Sequence, residues 1–204
     1  MERHYFRPGD HRPILAHDPL NSIVGPRPIG WISSLSADGV ANLAPYSFFN
    51  AFNYRPPIVG FASVGWKDSI ANIEETREFA WNLASRPLAQ PMNATSAAMG
   101  REIDEFELAG IEKAPAREIA VPLVARSPVS FECRTTQILR LETTTGQPID
   151  TWVVFGEVVG IHVSPETIVD GAYVTSLGQP ILRGGGPVDY FTVEETNRFA
   201  MPRP

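Results

Sequence analysis

The pattern of apolar and polar residues in the first half of the chain predicts short antiparallel β-strands. From Pro28 to Ser36, alternate residues starting at Ile29 fall on one face of an extended strand and the others on the opposite face. Asp38-Gly39 is a strong signal for a tight hairpin turn, so Val40 to Tyr46 is predicted to form the returning strand. A short apolar run, Pro57 to Ser63, predicts a third strand.

Helical signals are fewer and shorter. Ile70 and Ile73 form a buried stripe in a segment whose other residues are mostly charged, and Asp68 or Ser69 can cap the resulting helix. Two further short helices are predicted, over Leu88 to Thr95 and over Asp104 to Ala109, where Gly110 ends the second.

Two long strands dominate the second half of the chain, over Pro128 to Glu142 and over Trp152 to Val163, and the latter is β-branched almost throughout. Gly156 and Gly160 interrupt the latter, which indicates bulges or close approach of another element. A short strand is predicted before them, over Phe79 to Leu83.

These elements together predict a mainly β protein. The helices are too few to connect parallel strands, so an antiparallel β-barrel with helical insertions is the most economical fold. Length favours one domain over residues 1–204, with a proline-rich N-terminal arm of about residues 1–20 and a C-terminal extension.

Composition and charge argue against some classes of function. The formal charge is −6 and the chain has only two lysines, Lys67 and Lys113, which argues against a nucleic-acid surface. No apolar run is long enough for a membrane span, and the N-terminus lacks the apolar core of a signal peptide. We therefore expect a cytoplasmic protein without nucleic-acid or membrane partners.

Cysteine and histidine offer little reactive chemistry. Cys133 is the only cysteine, so no intrachain disulfide can form, and strand alternation predicts a buried, inert thiol. The spacing of His4, His11, His17 and His162 matches no zinc pattern, so no metal site is predicted.

A proline marks the first candidate ligand site. Pro45 lies inside the segment Asn42 to Asn50 and cannot donate to a strand ladder, so the strand must be an edge or must break there. Backbone groups freed in this way suit a planar heterocycle with its own donors and acceptors. The alternative is a strand that ends in a turn, with Phe48 and Phe49 in the core.

The second candidate site is the segment Trp66 to Ser69, just before the predicted helix. Free N–H groups at a helix N-terminus, together with a lysine and a hydroxyl, can bind phosphate. Asp68 opposes this interpretation because a capping carboxylate would occupy the same N–H groups and repel the anion. An ordinary capped helix start remains the alternative.

Four segments in order resemble the flavin reductase-like family of FMN-binding split barrels, in particular its flavoredoxin-like branch. They are Pro26 to Ser34, Asn42 to Asn50, Lys67 to Thr76 and Asp104 to Gly110. The resemblance extends over roughly residues 20–190.

The resemblance implies a homodimer with FMN near the subunit interface. It implies the following cofactor-binding residues: Ile32, Ser33, Ser34, Ala44, Pro45, Tyr46, Ser47 and Asn50 along the first strands, and Ser63, Lys67, Asp68 and Ser69 towards the phosphate.

The activity implied is hydride transfer from NADH or NADPH to flavin N5, followed by delivery of electrons to a monooxygenase or another redox partner protein. His162 corresponds to a position near the nicotinamide in related reductases, although a hydrogen-bonded structural histidine would fit the same strand. The glycine spacing of Ile181 to Tyr190 departs from the family pattern at the nicotinamide end. A non-enzymatic FMN electron carrier of the same fold is the alternative.

Overall fold

The structure is a computed structural model that describes residues 3–10, 12 and 14–203. His11, in the predicted N-terminal arm, lies outside the described residues.

All six strands predicted from the sequence are present, and the described residues contain eight further strands, seven of them only two or three residues long. The strands are β1 Arg27–Pro28, β2 Gly30–Leu35, β3 Ala41–Tyr46, β4 Phe49–Tyr54, β5 Pro57–Val64, β6 Glu78–Asn82, β7 Lys113–Ala114, β8 Leu123–Val124, β9 Val129–Glu142, β10 Pro148–Val163, β11 Ile168–Val169, β12 Ala172–Tyr173, β13 Ile181–Arg183 and β14 Tyr190–Thr192.

The α-helices are short insertions between these strands: α1 Leu20–Ile23, α2 Asp68–Thr76, α3 Ala89–Ala94 and α4 Glu105–Leu108. Within the described ranges, no helix combines the length and the apolar character needed to cross a membrane.

Seven strands form one antiparallel sheet in the order β3-β2-β6-β9-β10-β5-β4. Its two edges, β3 and β4, are consecutive in the chain and are separated only by Ser47 and Phe48. Contacts between β3 and β5 curl the sheet round on itself. The mainly β fold is therefore confirmed as a split barrel.

Strand β2 is buried on both faces because the barrel has a core inside and a second core outside. Ile32 packs inside with Phe61 and Phe79, while Trp31 packs outside with Phe106. The predicted alternation along this strand is confirmed, and each of its faces contributes to a different core.

Close packing explains the glycine in the middle of β10. A Cβ atom on Gly156 would lie 2.4 Å from Cε1 of Phe79, and the register of β9 and β10 shifts between Phe155 and Gly156. The prediction of a bulge and a close approach is confirmed. Cys133, in the neighbouring strand, is fully buried, and this burial raises the pKa of its thiol.

Two local predictions were wrong. Asp68 does not cap α2: Lys67 occupies the N-cap position, and no side chain accepts a hydrogen bond from the helix start. The sequence pattern also missed β4, whose residues are exposed except for the partly buried Phe49. Since β4 pairs only with β5, it has no buried face to impose an alternating pattern.

Both ends of the chain meet in a small sheet of order β1-β13-β14. The glycine turn after β13 packs tightly against α1, since a Cβ on Gly185 would overlap Ser22. Gly184 to Gly186 lie in the link between β13 and β14, and this link packs against the end of the N-terminal arm.

Candidate functional site

Half of the predicted cofactor residues line a cavity between β3, the start of α2 and the loop at residues 95–99, which we call the helix cavity. Its volume is about 310 Å³. Six predicted residues line it: Ala44, Pro45, Tyr46, Lys67, Asp68 and Ser69.

Pro45 is accommodated because β3 is an edge strand: the strand does not break there, and its pairing with β2 continues to Tyr46. The N–H of Leu43 points away from the sheet and donates to Glu105 at 3.0 Å. Pro45, two residues further on, presents its nitrogen to the same side, so no ladder hydrogen bond is lost.

The start of α2 offers unpaired donors to the helix cavity. The N–H groups of Ile70 and Ala71 donate to the carbonyl of Lys67, but those of Asp68 and Ser69 have no acceptor among the described residues. Because Asp68 is not the cap, its carboxylate does not occupy these groups. The objection that Asp68 would block an anion at this site therefore weakens, although its negative charge remains beside the cavity.

Tyr46 carries a buried hydroxyl that has no hydrogen-bond partner in the described structure. Burial raises the pKa of this phenol. The hydroxyls of Ser69 and Ser63 lie close enough to act on that pKa in the opposite direction, yet neither makes a hydrogen bond of good geometry. A buried polar atom left unpaired is costly, so the Tyr46 hydroxyl lacks a polar partner at a position beside Ser69, which lines the helix cavity.

A buried amide network fixes helix α2 to the hairpin beneath it. The Asn42 amide donates to Ser69 at 2.7 Å and to Ser34 at 3.3 Å. Asn72, one turn further along α2, also donates to Ser34 at 3.3 Å. The helix start is therefore held at a fixed position relative to β3.

Some predicted contacts support the cavity and do not line it. The side chains of Ile32, Ser33, Ser34 and Ser63 are fully buried. Ser33 donates to the carbonyl of Pro122 at 2.7 Å, and Ser63 to that of Gly65 at 2.9 Å. Direct contact of these four residues with a cofactor stays a prediction.

Ser47 and Asn50 lie beyond Pro45, on the other side of the β3–β4 link. Asn50 lines a second cavity of about 520 Å³, which we call the aromatic cavity. The carbonyl of Ser47 accepts a hydrogen bond from Arg27, another residue of that cavity, at 3.0 Å. The predicted segment 44–50 therefore runs from one cavity to the next.

His162 lies apart from both cavities. Its Nε2 atom is 2.5 Å from a carboxylate oxygen of Glu132, in a polar cavity near the end of β10. Trp152, which contacts Trp66 at the mouth of the helix cavity, is ten residues earlier in the same strand, or roughly 30 Å away at the rise of an extended strand. One chain does not bring His162 to the other predicted residues.

Three features of the helix cavity were missed from sequence: Glu105, Trp66 as an aromatic wall, and the loop at residues 95–99. Burial raises the pKa of Glu105, whose carboxylate accepts from the N–H of Leu43. The two residues are 62 positions apart. The acidic first turn of α4 was visible in the sequence, but its contact with β3 follows only from the packing of the outer core.

Comparison with known proteins places this chain in a family. Residues 25–176 match the model of the flavin reductase like domain. An uncharacterized protein of Aquifex aeolicus is 35% identical over 153 residues, which are 72% of this chain and 74% of that protein.

Two solved structures share the fold. The 2-nitrobenzoate 2-nitroreductase of Pseudomonas fluorescens is 31% identical with a TM-score of 0.79, over 91% of this chain and 88% of that one. Nitrilotriacetate monooxygenase component B from Bacillus cereus is 26% identical with a TM-score of 0.87, over 98% and 100%. On the extent of the domain match and the identity to these relatives, the chain belongs to the flavin reductase-like family of split-barrel proteins.

Proposed function

We propose that this protein is an FMN-dependent oxidoreductase that accepts hydride from NADH or NADPH. One observation carries the proposal: the helix cavity brings Lys67 and free helix N–H groups together with Tyr46, whose buried hydroxyl is unpaired, beside the edge strand that contains Pro45. This is a set of donors for a phosphate next to a flat surface for a ring.

The residues present fit FMN. Lys67 and the free N–H groups of α2 would hold the phosphate, because a cation and unpaired amides stabilise an anion at a helix start. Tyr46 would donate its hydroxyl to the ligand, and the segment from Ala44 to Ser47 would lie against the ring. When bound, the flavin supplies hydride acceptance at N5 and release of the electron pair.

The chain itself contributes orientation and exclusion of water. The Asn42 network fixes the helix start, and Glu105 fixes β3, so the two walls of the helix cavity keep one spacing. Trp66 stands at the mouth in an edge-to-face contact with Trp152, 4.5 Å between ring centroids. These rigid walls would hold the flavin in one orientation towards a nicotinamide.

A homodimer would complete this arrangement. Tyr54 on β4 is 80% exposed, on an edge strand that has a free ladder side. Exposed aromatic residues on an open strand edge favour pairing with another surface. The role predicted for His162 near the nicotinamide would require such a partner, because within one chain the residue is distant.

The proposal has two versions, which differ in the proteins with which this protein exchanges electrons. The relative from Bacillus cereus is named as a monooxygenase component, which supports a monooxygenase as the partner that consumes the reduced flavin. An electron carrier that receives its electrons from another protein would use the same helix cavity without nicotinamide.

The visible absorption spectrum of the purified protein, supplied with FMN, tests the proposal. We expect a bound flavin spectrum that bleaches rapidly on anaerobic addition of NADH or NADPH. A flavin spectrum that persists with both nucleotides would identify an electron carrier. Failure to bind FMN at all would overturn the proposal.

A further inference from the structure

The aromatic cavity is lined by rings from three parts of the chain. Its walls come from the end of the N-terminal arm, from β4 with its preceding turn, and from β5 and β10. The lining residues used below are Arg27, Phe48, Asn50, Phe52 and Phe155.

Arg27 is the only charged residue of this lining, and it is only 8% exposed. Its guanidinium donates to backbone carbonyls of Asn21 at 2.5 Å, of Ser47 at 3.0 Å and of Val24. No carboxylate forms an ion pair with it among residues 3–10, 12 and 14–203. Carbonyl oxygens satisfy its N–H groups but leave its net charge uncompensated.

One nitrogen of the Arg27 guanidinium, Nη2, can still donate a hydrogen bond. Nε and Nη1 are occupied by the three carbonyls, whereas Nη2 has a single contact, a long one of 3.5 Å to the carbonyl of Gly184. Nη2 can therefore donate to one oxygen of a carboxylate, whose negative charge would pair with the guanidinium.

The rings beside Arg27 form an apolar slot. Phe52 meets Phe155 edge-to-face with 4.9 Å between centroids. Phe48 lies under the Arg27 guanidinium at 5.4 Å. Aromatic side chains in these orientations bind a further planar ring by stacking or edge contact.

We propose that the aromatic cavity binds a small aromatic carboxylate, with the ring against Phe52 and Phe48 and the carboxylate on Nη2 of Arg27. The inference rests on the proposed function for its position: Asn50 and the carbonyl of Ser47 connect this cavity to the predicted flavin segment. The ligand would then lie at the ring end of the flavin, opposite Lys67.

The test is a calorimetric titration of the FMN-loaded protein with benzoate and with benzamide, its neutral isostere. We expect benzoate to bind at least tenfold more tightly, because only the anion pairs with Arg27. We also expect benzoate to shift the flavin absorption bands. Equal affinity for the two compounds, or binding of neither, would overturn the proposal.

Two variants locate the site. Arg27→Met should abolish the preference for benzoate, while Arg55→Met should preserve it. Arg55 is the matched control because it removes the same charge from the exposed end of the β4–β5 hairpin, where its guanidinium lies over Tyr54 at 5.2 Å. A benzoate preference that survives in Arg27→Met would overturn the assignment.

Arg27 also holds the arm to the barrel, so its loss could unfold the protein. Phe52→Ala, at an exposed position, keeps the test decisive: both ligands should bind severalfold more weakly with the charge preference intact. Unchanged binding in this variant would exclude the aromatic cavity as the site.

Bleaching by NADH is recorded on the same samples. A protein that binds benzoate but is not reduced by NADH or NADPH retains the site and loses the reductase activity. A protein that is reduced but does not distinguish benzoate from benzamide shows the converse.

Discussion

This barrel has two polar centres that differ in hydrogen bonding: in one the groups are paired, and in the other several are unpaired. Around Glu132, every polar group of the carboxylate is paired: its oxygens accept from the N–H groups of Arg117, Glu118 and Ile119 and contact His162 at 2.5 Å. In the helix cavity, the Tyr46 hydroxyl and the first N–H groups of α2 are unpaired.

The difference indicates that the polar groups around Glu132 stabilise the fold, whereas those of the helix cavity are available to a ligand. A buried carboxylate that is saturated by the chain contributes to folding and has little capacity left for a ligand. Donors that the chain leaves unpaired cost stability unless a ligand satisfies them. We therefore expect substitutions at the first centre to change folding and substitutions at the second to change FMN affinity.

Glu132→Ala is expected to have the largest effect. It leaves three backbone N–H groups and the His162 ring without an acceptor, so the free energy of unfolding should fall by about 3–5 kcal/mol. Urea denaturation at neutral pH measures this, with FMN affinity expected to stay within about twofold. Glu78→Ala, which removes a single bond to Ala120 in the same loop, is the control. A loss of FMN affinity as large as the loss of stability would contradict the contrast.

The same carboxylate should make the free energy of unfolding decrease at acid pH. Burial alone would raise the pKa of Glu132, but hydrogen bonds from His162 and from the backbone outweigh it and hold the pKa below its ordinary value of 4.5. A lowered folded pKa means stability that is present above the unfolded pKa and lost as pH falls through the folded one. Glu132→Gln should flatten the dependence of unfolding free energy on pH in this acid range; an unchanged slope would exclude Glu132 as its source.

His162→Ala should cost less, about 1–2 kcal/mol of unfolding free energy, since the three backbone donors to Glu132 remain. In a Glu132→Ala background the same change should cost almost nothing, because the two side chains share one interaction. The rate of FMN reduction should stay within about twofold. A larger fall in that rate would support the role at the nicotinamide predicted from the sequence.

Lys67→Ala is expected to weaken FMN binding about tenfold and riboflavin binding very little, because the lysine acts on the phosphate. Lys113→Ala is the matched control: it is the only other lysine in the sequence and pairs with Asp104. Fluorescence titration with both flavins measures the difference. Equal losses for FMN and riboflavin would remove Lys67 from the phosphate end.

Tyr46→Phe should have the smallest effect. Without ligand, removal of an unpaired buried hydroxyl should leave stability unchanged or slightly higher, whereas FMN affinity should fall about threefold. Tyr54→Phe, at an exposed position on β4, controls for the loss of a hydroxyl alone. A thermal melt and a flavin titration on the same preparations decide between these outcomes; a destabilised ligand-free protein would mean that the hydroxyl is already paired.

Sequence patterns predicted those parts of the fold that local rules determine. The Asp38-Gly39 turn, an edge or a break in the strand at Pro45, and a bulge or close approach at Gly156 each follow from the backbone chemistry of one or two residues. The structure contains the turn, the edge strand and the close approach. Strand β4 was not predicted because its side chains have no common buried face.

The site was predicted only where its residues lie close together in sequence. Pro45, Tyr46, Lys67 and Ser69 belong to two short segments that meet in the helix cavity. Glu105 was missed because its approach to Leu43 depends on the outer core. The predicted N-cap of α2 was wrong. Asp68 is a good capping residue by type, but it is already helical, and Lys67 has the extended N-cap conformation.

The small sheet that joins the two chain ends sets the order in which the cavities form during synthesis. Residues 42–105 supply most of the helix cavity, but Arg27 reaches its β13 partner and the carbonyl of Gly184 across 157 positions. A nascent chain must therefore release almost its whole length from the ribosome before the arm docks and closes the aromatic cavity. We expect a chain that stops before residue 181 to keep the phosphate-binding wall and the rings of the aromatic cavity, and to lack the docked arm that carries Arg27.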